Sequence, residues 1–439
     1  MSALTRAPRT GRGRLVAVIG LLAILSVGLA ACRGFFGQAP IAILWIDNGG
    51  DTEAPVTVTF DISDSADPDG EIASFDLDFG DGSAHETGDD VSVLITHEYT
   101  DEGTYQVVLT VTDNDGRIGM TNKTVTIGPV MIAFAANRLA DYDIYRMKAD
   151  GTEEAAVRNT ADDELFPDLV RITRDKIAFS AEDGTSWNIW TMTVEGLSPT
   201  QLTTQTASNQ IQPSWSADAS MIAYASNAAQ TPSSTTWEIY TMAADGTAQT
   251  KLTSQSPSWA IAPAYSPVND DILFVSDKTA TGGSSIWLWD DGLSAAVELY
   301  DGPGRDGDAS PALAGLGTAL DLPPGAGISR PVWSPDGEHI AFSAERTAGG
   351  IIDIYIYDVD AATAKTLEDY IDDEFGAPNP NITTDEDEYC PYWLEDDSGI
   401  VFVRDDGAGD IQIYKVEFAT GTVTQLTETG SNISPAAER

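Results

Sequence analysis

From residue 130 onward the same hydrophobic string returns six times: Ile132-Ala-Phe134, Ile177-Ala-Phe179, Ile222-Ala-Tyr224, Ile272-Leu-Phe274, Ile340-Ala-Phe342 and Ile400-Val-Phe402. Short apolar runs bounded by turn residues read as buried strands. A second series follows the first, with a polar residue leading: Asp143-Ile-Tyr145, Asn188-Ile-Trp190, Glu238-Ile-Tyr240, Ser285-Ile-Trp287, Asp353-Ile-Tyr355 and Gln412-Ile-Tyr414. Ahead of most first strings stands a Pro-x-aromatic segment, opened by Pro167, Pro213, Pro263, Pro331, Pro391 and Pro435 at spacings of 46, 50, 68, 60 and 44 residues. A Ser-x-Asp-Gly-type turn links the two, as in Ser334-Pro-Asp-Gly337. Most units end on a short fourth strand, such as Gln201-Leu-Thr203, Lys251-Leu-Thr253 or Gln425-Leu-Thr427. Four strands per unit and a repeat of this length predict a six-bladed β-propeller over residues 130–439. The unit at Val130 lacks its Pro-x-aromatic strand, and Asn432-Ile-Ser-Pro435-Ala is the candidate replacement. The C-terminal segment would then close blade one and protect the edges of first and last blades.

Residues 41–128 follow another rhythm. Val56, Val58 and Phe60 alternate with Thr57 and Thr59, and Tyr105, Val107, Leu109 and Val111 alternate with Gln106, Val108 and Thr110. Alternation of this kind marks half-buried strands. Between them lie the turn clusters Asp67-Pro-Asp-Gly70, Phe79-Gly-Asp-Gly82 and Asp113-Asn-Asp-Gly116. A small antiparallel β-sandwich is predicted, so the whole chain is all-β.

The first 31 residues read as an address. Arg6, Arg9, Arg12 and Arg14 precede an apolar run from Leu15 to Ala30, followed by Ala31 and Cys32. A basic start, a short apolar core and small residues before the cut describe a secretory signal peptide. Leu29-Ala30-Ala31-Cys32 resembles the lipobox of prokaryotic lipoproteins, which implies that Cys32 becomes the acylated first residue, with residues 32–40 as a lipidated tether. Arg33 is not the aspartate that retains such proteins at the inner membrane, so placement at the outer membrane or cell surface is expected, with the periplasmic side as the alternative.

Two further resemblances rest on motifs. Asp67-Pro-Asp-Gly70, Asp78-Phe-Gly-Asp-Gly82, His97-Glu-Tyr99, Gly103-Thr-Tyr105 and Val111-Thr-Asp113 resemble the PKD (polycystic kidney disease) domain, an immunoglobulin-like module of cell surfaces. Leu77 stands where that family usually has Trp. Pro331 to Phe342 reads Pro-x-Trp-Ser-Pro-Asp-Gly-x-x-Ile-Ala-Phe, the repeat of TolB-type propellers. The other units match in part, with Leu169 and Ala436 in place of the aromatic. The resemblances imply a spacer followed by a platform that binds a partner.

Charge narrows the partners. The chain has 23 Lys and Arg against 69 Asp and Glu, a net charge of −46. Loss of residues 1–31 removes four Arg and no acid, leaving 19 bases and a charge of −50. Nucleic acid binding needs a basic patch, so nucleic acid is not expected as a partner. Membrane contact is expected through the lipid anchor only.

Candidate chemistry is sparse. His85, His97 and His339 lack zinc spacing. No Gly-x-Ser-x-Gly elbow is present. Cys390, beside Pro391, reads as a buried, inert thiol. No cofactor is expected other than calcium, for which Asp67, Asp69 and Asp76 are the candidate ligands against a reading as capped turns. The segment 301–327 is the longest insertion, read as a mobile loop or a lid.

One positional argument remains. In a four-stranded blade, the start of the first strand and the loop between strands two and three fall on one face. That face would collect Arg138, Asp163, Glu164, Gln210, Gln212, Lys278, Arg330, Arg346, Glu388 and Arg404. These residues either tie down neighbouring loops or contact a partner. The expected function is that of a lipid-anchored envelope protein binding a protein or glycan. The rivals are a polysaccharide lyase or hydrolase at the channel face and a structural adhesion component.

Overall fold

The computed structural model describes residues 38–47, 54–128, 130–138, 141–170, 175–184, 186–228, 237–254, 259–277, 284–300, 330–345, 351–376, 386–394, 398–405 and 411–437. Cys32, Lys278, Arg346, the leader and the insertion 301–327 lie outside them. The chain divides into two compact units at the 129/130 boundary.

The first unit is a sandwich of a three-stranded sheet, in the order Trp45–Asp47, Val56–Asp61, Leu94–Tyr99, and a four-stranded sheet, in the order Glu86–Gly88, Ile72–Asp78, Gly103–Asp113, Ile118–Ile127. The alternating strands turn one face inward: Val56, Val58, Phe60, Val107, Leu109 and Val111 are all buried. Leu77 is fully buried among them and fills its core position without the larger indole. Tyr99 donates its hydroxyl to the carbonyl of Phe79 at 2.9 Å, anchoring the Phe79-Gly-Asp-Gly82 turn. Gly80 is obligatory there, because a Cβ would lie 2.4 Å from the Gln106 carbonyl oxygen and φ is +79°. The sandwich begins earlier than the proposed tether allows. Gln38 donates its backbone N–H to Asp69 at 3.2 Å, Pro40 is buried, and Ile41 bridges Ala66.

The second unit is a propeller of six four-stranded antiparallel blades. Blades two to six run in chain order, with innermost strands Glu164–Leu169, Gln210–Trp215, Ala260–Tyr265, Val332–Trp333 and Asp387–Trp393. Blade one takes its innermost strand, Ser431–Ala437, from the C-terminal segment. It pairs antiparallel with Met131–Asn137, setting Ile433 opposite Ala135 and Ala436 opposite Ala133.

Register explains the repeats. The aromatic closing each first string lies directly opposite the aromatic of the second string: Phe134 and Tyr145, Phe179 and Trp190, Tyr224 and Tyr240, Phe274 and Trp287, Phe342 and Tyr355, Phe402 and Tyr414. Such cross-strand pairs are units of sheet stabilisation. The polar residue leading the second string is buried in every blade. In three blades the Thr after the fourth strand satisfies it. Thr203, Thr253 and Thr427 donate to Asn188, Glu238 and Gln412 at 3.0, 2.6 and 2.7 Å, and accept the N–H of Ile189, Ile239 and Ile413.

A feature absent from the sequence reading governs the axis. Phe166, Gln212, Ala262, Cys390 and Ser434, each just before a repeat proline, have φ between 50° and 57°. A register shift falls at each of these positions. A non-glycine residue in this region is strained, and the strain recurs wherever an inner strand bends at the axis. Blade five departs from the pattern in a second way: its outer strand Thr363–Thr366 runs into a helix, Leu367–Phe375. Thr366 caps it by accepting the N–H of Asp369, and Gly376 ends it in the left-handed region.

Candidate functional site

The inner strands begin at one end of the propeller, here called the top. Glu164 pairs with Ala181 and Glu388 with Arg404, so the hairpins between second and third strands lie at that end too. The described candidates are therefore neighbours in register, but few of them face outward. Glu164, Gln210, Gln212, Glu388 and Arg404 are all buried, and Asp163 is half-buried. Some of these polar side chains pair within a blade, as Glu388 with Arg404 and Gln210 with Ser226, and others join one blade to the next, as Glu164 with Arg158 and Gln212 with Ala262.

Each has a definite task. Arg138 donates to Glu154 at 2.7 Å and to Asn432 at 3.0 Å, and also bonds the carbonyl and hydroxyl of Thr429. Its guanidinium lies 5.1 Å from the Tyr145 ring centroid. Arg404 donates to Glu388 at 2.6 and 3.2 Å and sits 4.7 Å from the Tyr414 ring. Arg158, which the sequence reading passed over, lies 5.2 Å from the Trp190 ring and donates to Glu164 at 3.1 Å. Three blades thus cap their aromatic pair with an arginine and pair that arginine with an acid or amide. Gln210 donates to Ser208 and Ser226 at 2.9 and 3.3 Å. Gln212 donates its N–H to Ser180 of blade two and accepts the N–H of Ala262 of blade four. Asp163 accepts the N–H of Tyr142 at 2.8 Å.

Arg330 does not lie on the face. It reaches across the axis, donating to Asp168 at 2.6 Å and to the Pro213 carbonyl at 2.9 Å. Asp168 also accepts the Tyr392 hydroxyl at 3.0 Å and the Trp215 N–H at 2.8 Å. Blades two, three, five and six therefore meet at one buried carboxylate. The cavity left on the axis, lined by Phe166, Gln212, Arg330, Cys390, Ser434 and the adjoining prolines, is about 20 Å³. That is room for about one water. Cys390 is buried against it.

Two acids at the starts of inner strands are pushed up to near neutrality, and burial also raises Asp143 and Glu182. Burial pushes Glu164 up to about 7, opposed by the Thr160 hydrogen bond and Arg158 and assisted by Asp143. Burial pushes Glu388 up to about 7 against the pull of Arg404. They belong to separate blades, and each is held by its own arginine.

In the sandwich the three candidate calcium ligands are not assembled. Asp67 caps its own turn by accepting the Asp69 N–H at 3.2 Å, Asp69 accepts from Gln38, and Asp76 bonds His85 at 2.7 Å. Among the described residues no group of three His, Cys, Asp or Glu is gathered for a metal. His97 bonds Asp81 at 2.7 Å, and His339 packs against Tyr370 and Trp393.

The geometry defines a two-unit, all-β protein in which a PKD domain precedes a TolB-like propeller. Residues 38–127 match the PKD domain family. Seventy of them are 41% identical to Collagenase ColA of Clostridium perfringens, covering 16% of this chain and 6% of that one. A stretch of 89 residues is 37% identical to a microbial collagenase of Vibrio alginolyticus, covering 20% and 10%. The chain spans a tenth or less of the length of these curated relatives. The fold of TolB from Acinetobacter baumannii superposes with a TM-score of 0.53 at 18% identity, covering 77% of this chain and 80% of that one.

Proposed function

We propose that this protein is a lipid-anchored component of a bacterial cell envelope whose propeller docks a protein partner on its top face. Cys32 would carry the lipid, residues 33–37 the tether, and the PKD domain would act as spacer. The observation that carries the docking reading is the small size of the pocket described on the axis. That pocket, about 20 Å³ and lined in part by Arg330, is too small for a sugar ring, which turns the reading to the top face. The aromatic pairs capped by Arg138, Arg158 and Arg404 are not free to stack on a sugar, which favours protein over glycan. The net charge of −46 favours a partner with a basic surface.

The rival reading, a carbohydrate-active enzyme, rests on the raised proton affinities of Glu164 and Glu388. A lyase or hydrolase needs its acid and base at one substrate. Here Glu164 is engaged by Arg158 of blade one and Glu388 by Arg404 of blade six, each at a site of its own.

Photocrosslinkers placed at Asp163 on the top face and at Asp218 on the opposite turn test the docking surface in intact cells. Adducts from Asp163 alone are expected. Equal adducts, or adducts from Asp218 alone, would move the docking surface. Palmitate labelling tests the anchor: Cys32→Ser should abolish label and membrane fractionation. A Cys32→Ser protein still processed and membrane-bound would remove the anchor from the proposal.

A further inference from the structure

The crossover from blade one to blade two is held by carboxylates. Residues 159–163 connect the outer strand Ala155–Arg158 to the inner strand Glu164–Leu169. Asp143 accepts the Thr160 N–H at 3.2 Å and the Asn159 side-chain amide at 2.9 Å. Asp163 accepts the Tyr142 N–H, and its carbonyl accepts the Glu182 N–H at 3.0 Å. At the end of the crossover Glu164 is fully buried, with the Thr160 hydroxyl donating to Oε1 at 2.6 Å. Its other oxygen, Oε2, is buried without a hydrogen-bond partner.

Burial, more than neighbouring charge, sets the state of Glu164. Arg158 is the cation that bonds it, and that guanidinium also lies over Phe179 and Trp190. Against that cation stands Asp143 of blade one, whose charge raises the Glu164 proton affinity; Asp162 and Asp163 of the crossover and Glu182 and Asp183 of the second strand of blade two are the further acids of the adjoining elements. The uncharged strands Ser431–Ala437, Met131–Asn137 and Gln210–Trp215 bring no compensation. Protonation at Oε2 removes the buried charge and leaves Oε1 as the acceptor for Thr160 and Arg158.

We propose that Glu164 is a proton switch for this crossover: as the neutral acid it holds residues 159–163 on the propeller, and as the carboxylate it releases them. The proposal stands apart from any docking partner. Its direction follows from linkage. With the crossover closed, burial holds the Glu164 proton up to a pKa of about 7; opened to water, the carboxyl returns to its ordinary value of 4.5. Closure is therefore fully supported below pH 4.5 and loses support as pH rises through about 7. Between pH 5 and pH 8 the opening equilibrium should rise on the order of 50-fold, then level off.

Hydrogen–deuterium exchange on the full chain reads this directly. Peptides covering residues 155–165, corrected for the intrinsic pH dependence of exchange, should lose protection between pH 5 and pH 8. The turn at residues 216–221 should not. Glu164→Gln should abolish the excess. A flat wild-type profile, or a Glu164→Gln profile that still follows pH, overturns the switch. Should Glu164→Gln fail to fold, Asp143→Asn supplies the second arm. Loss of that neighbouring charge should make the rise smaller and finish it at lower pH; an unshifted profile overturns the proposal equally.

Discussion

Arg330 links blade five to blades two and three with one side chain, and the consequence can be measured. Its partner Asp168 is 4% exposed and also holds Tyr392 and Trp215. Arg330→Ala would leave that carboxylate buried without its cation, a loss of about 3–5 kcal/mol. Arg330→Lys should recover only part of it, because one ammonium cannot replace a planar fork that reaches both Asp168 and the Pro213 carbonyl. Urea denaturation of the three proteins should rank them wild type, Lys, Ala. An unchanged midpoint for Arg330→Ala would mean that the axis does not depend on the pair. The sequence displays none of this. Arg330 precedes Pro331 and so reads as a residue of the top face, whereas its partner lies 162 positions earlier, and Tyr392 is separated from that same partner by 224. Contacts of that range leave no local pattern.

At the scale of elements the sequence is far more legible. Strand identity follows from apolar strings of fixed form, because paired aromatics and buried leading residues recur in each blade. The closing Thr is part of that grammar and gives a second prediction. Thr253 accepts the Ile239 N–H and donates to the Glu238 carboxylate, and Thr427 does the same for Ile413 and the neutral Gln412. Each Thr→Val change keeps shape and strand propensity but strands a buried donor and acceptor, costing about 1–3 kcal/mol. Bonds to a charged acceptor are stronger, so Thr253→Val should lower the thermal midpoint further than Thr427→Val. Equal shifts would show that the acceptor's charge does not matter there. Two elements escape the grammar. The helix Leu367–Phe375 carries a legible start in Thr366 and stop in Gly376, but it follows a strand that already completes a blade. The left-handed residues before the prolines are masked by their variety: Phe, Gln, Ala, Cys and Ser share the conformation and no side-chain chemistry.

For the whole molecule, the closing strand decides whether six blades make a ring. Ser431–Ala437 lies close to a chain end, a region usually dispensable unless tied into a sheet. Here Asn432, Ile433, Ala436 and Ala437 are all buried, and Asn432 donates to Gln412 of blade six at 2.9 Å while accepting from Arg138 at 3.0 Å. The strand thus binds blade one to itself and to blade six. Deleting residues 431–439 would uncover the edge of Met131–Asn137, including the buried Ala133 and Ala135. Burial of Ile433 alone contributes about 2–3 kcal/mol, and each lost ladder bond adds about 1 kcal/mol. Against a total stability of about 5–15 kcal/mol, the truncated propeller should lose its cooperative melt or melt far lower. Deleting residues 33–37 should leave the propeller transition in place, since the described blade strands all lie from Met131 onward. Calorimetry of the two truncations, with the PKD domain melting as an internal reference, separates the cases. A 431–439 deletion that melts with the intact chain would show that the ring holds without its closing strand.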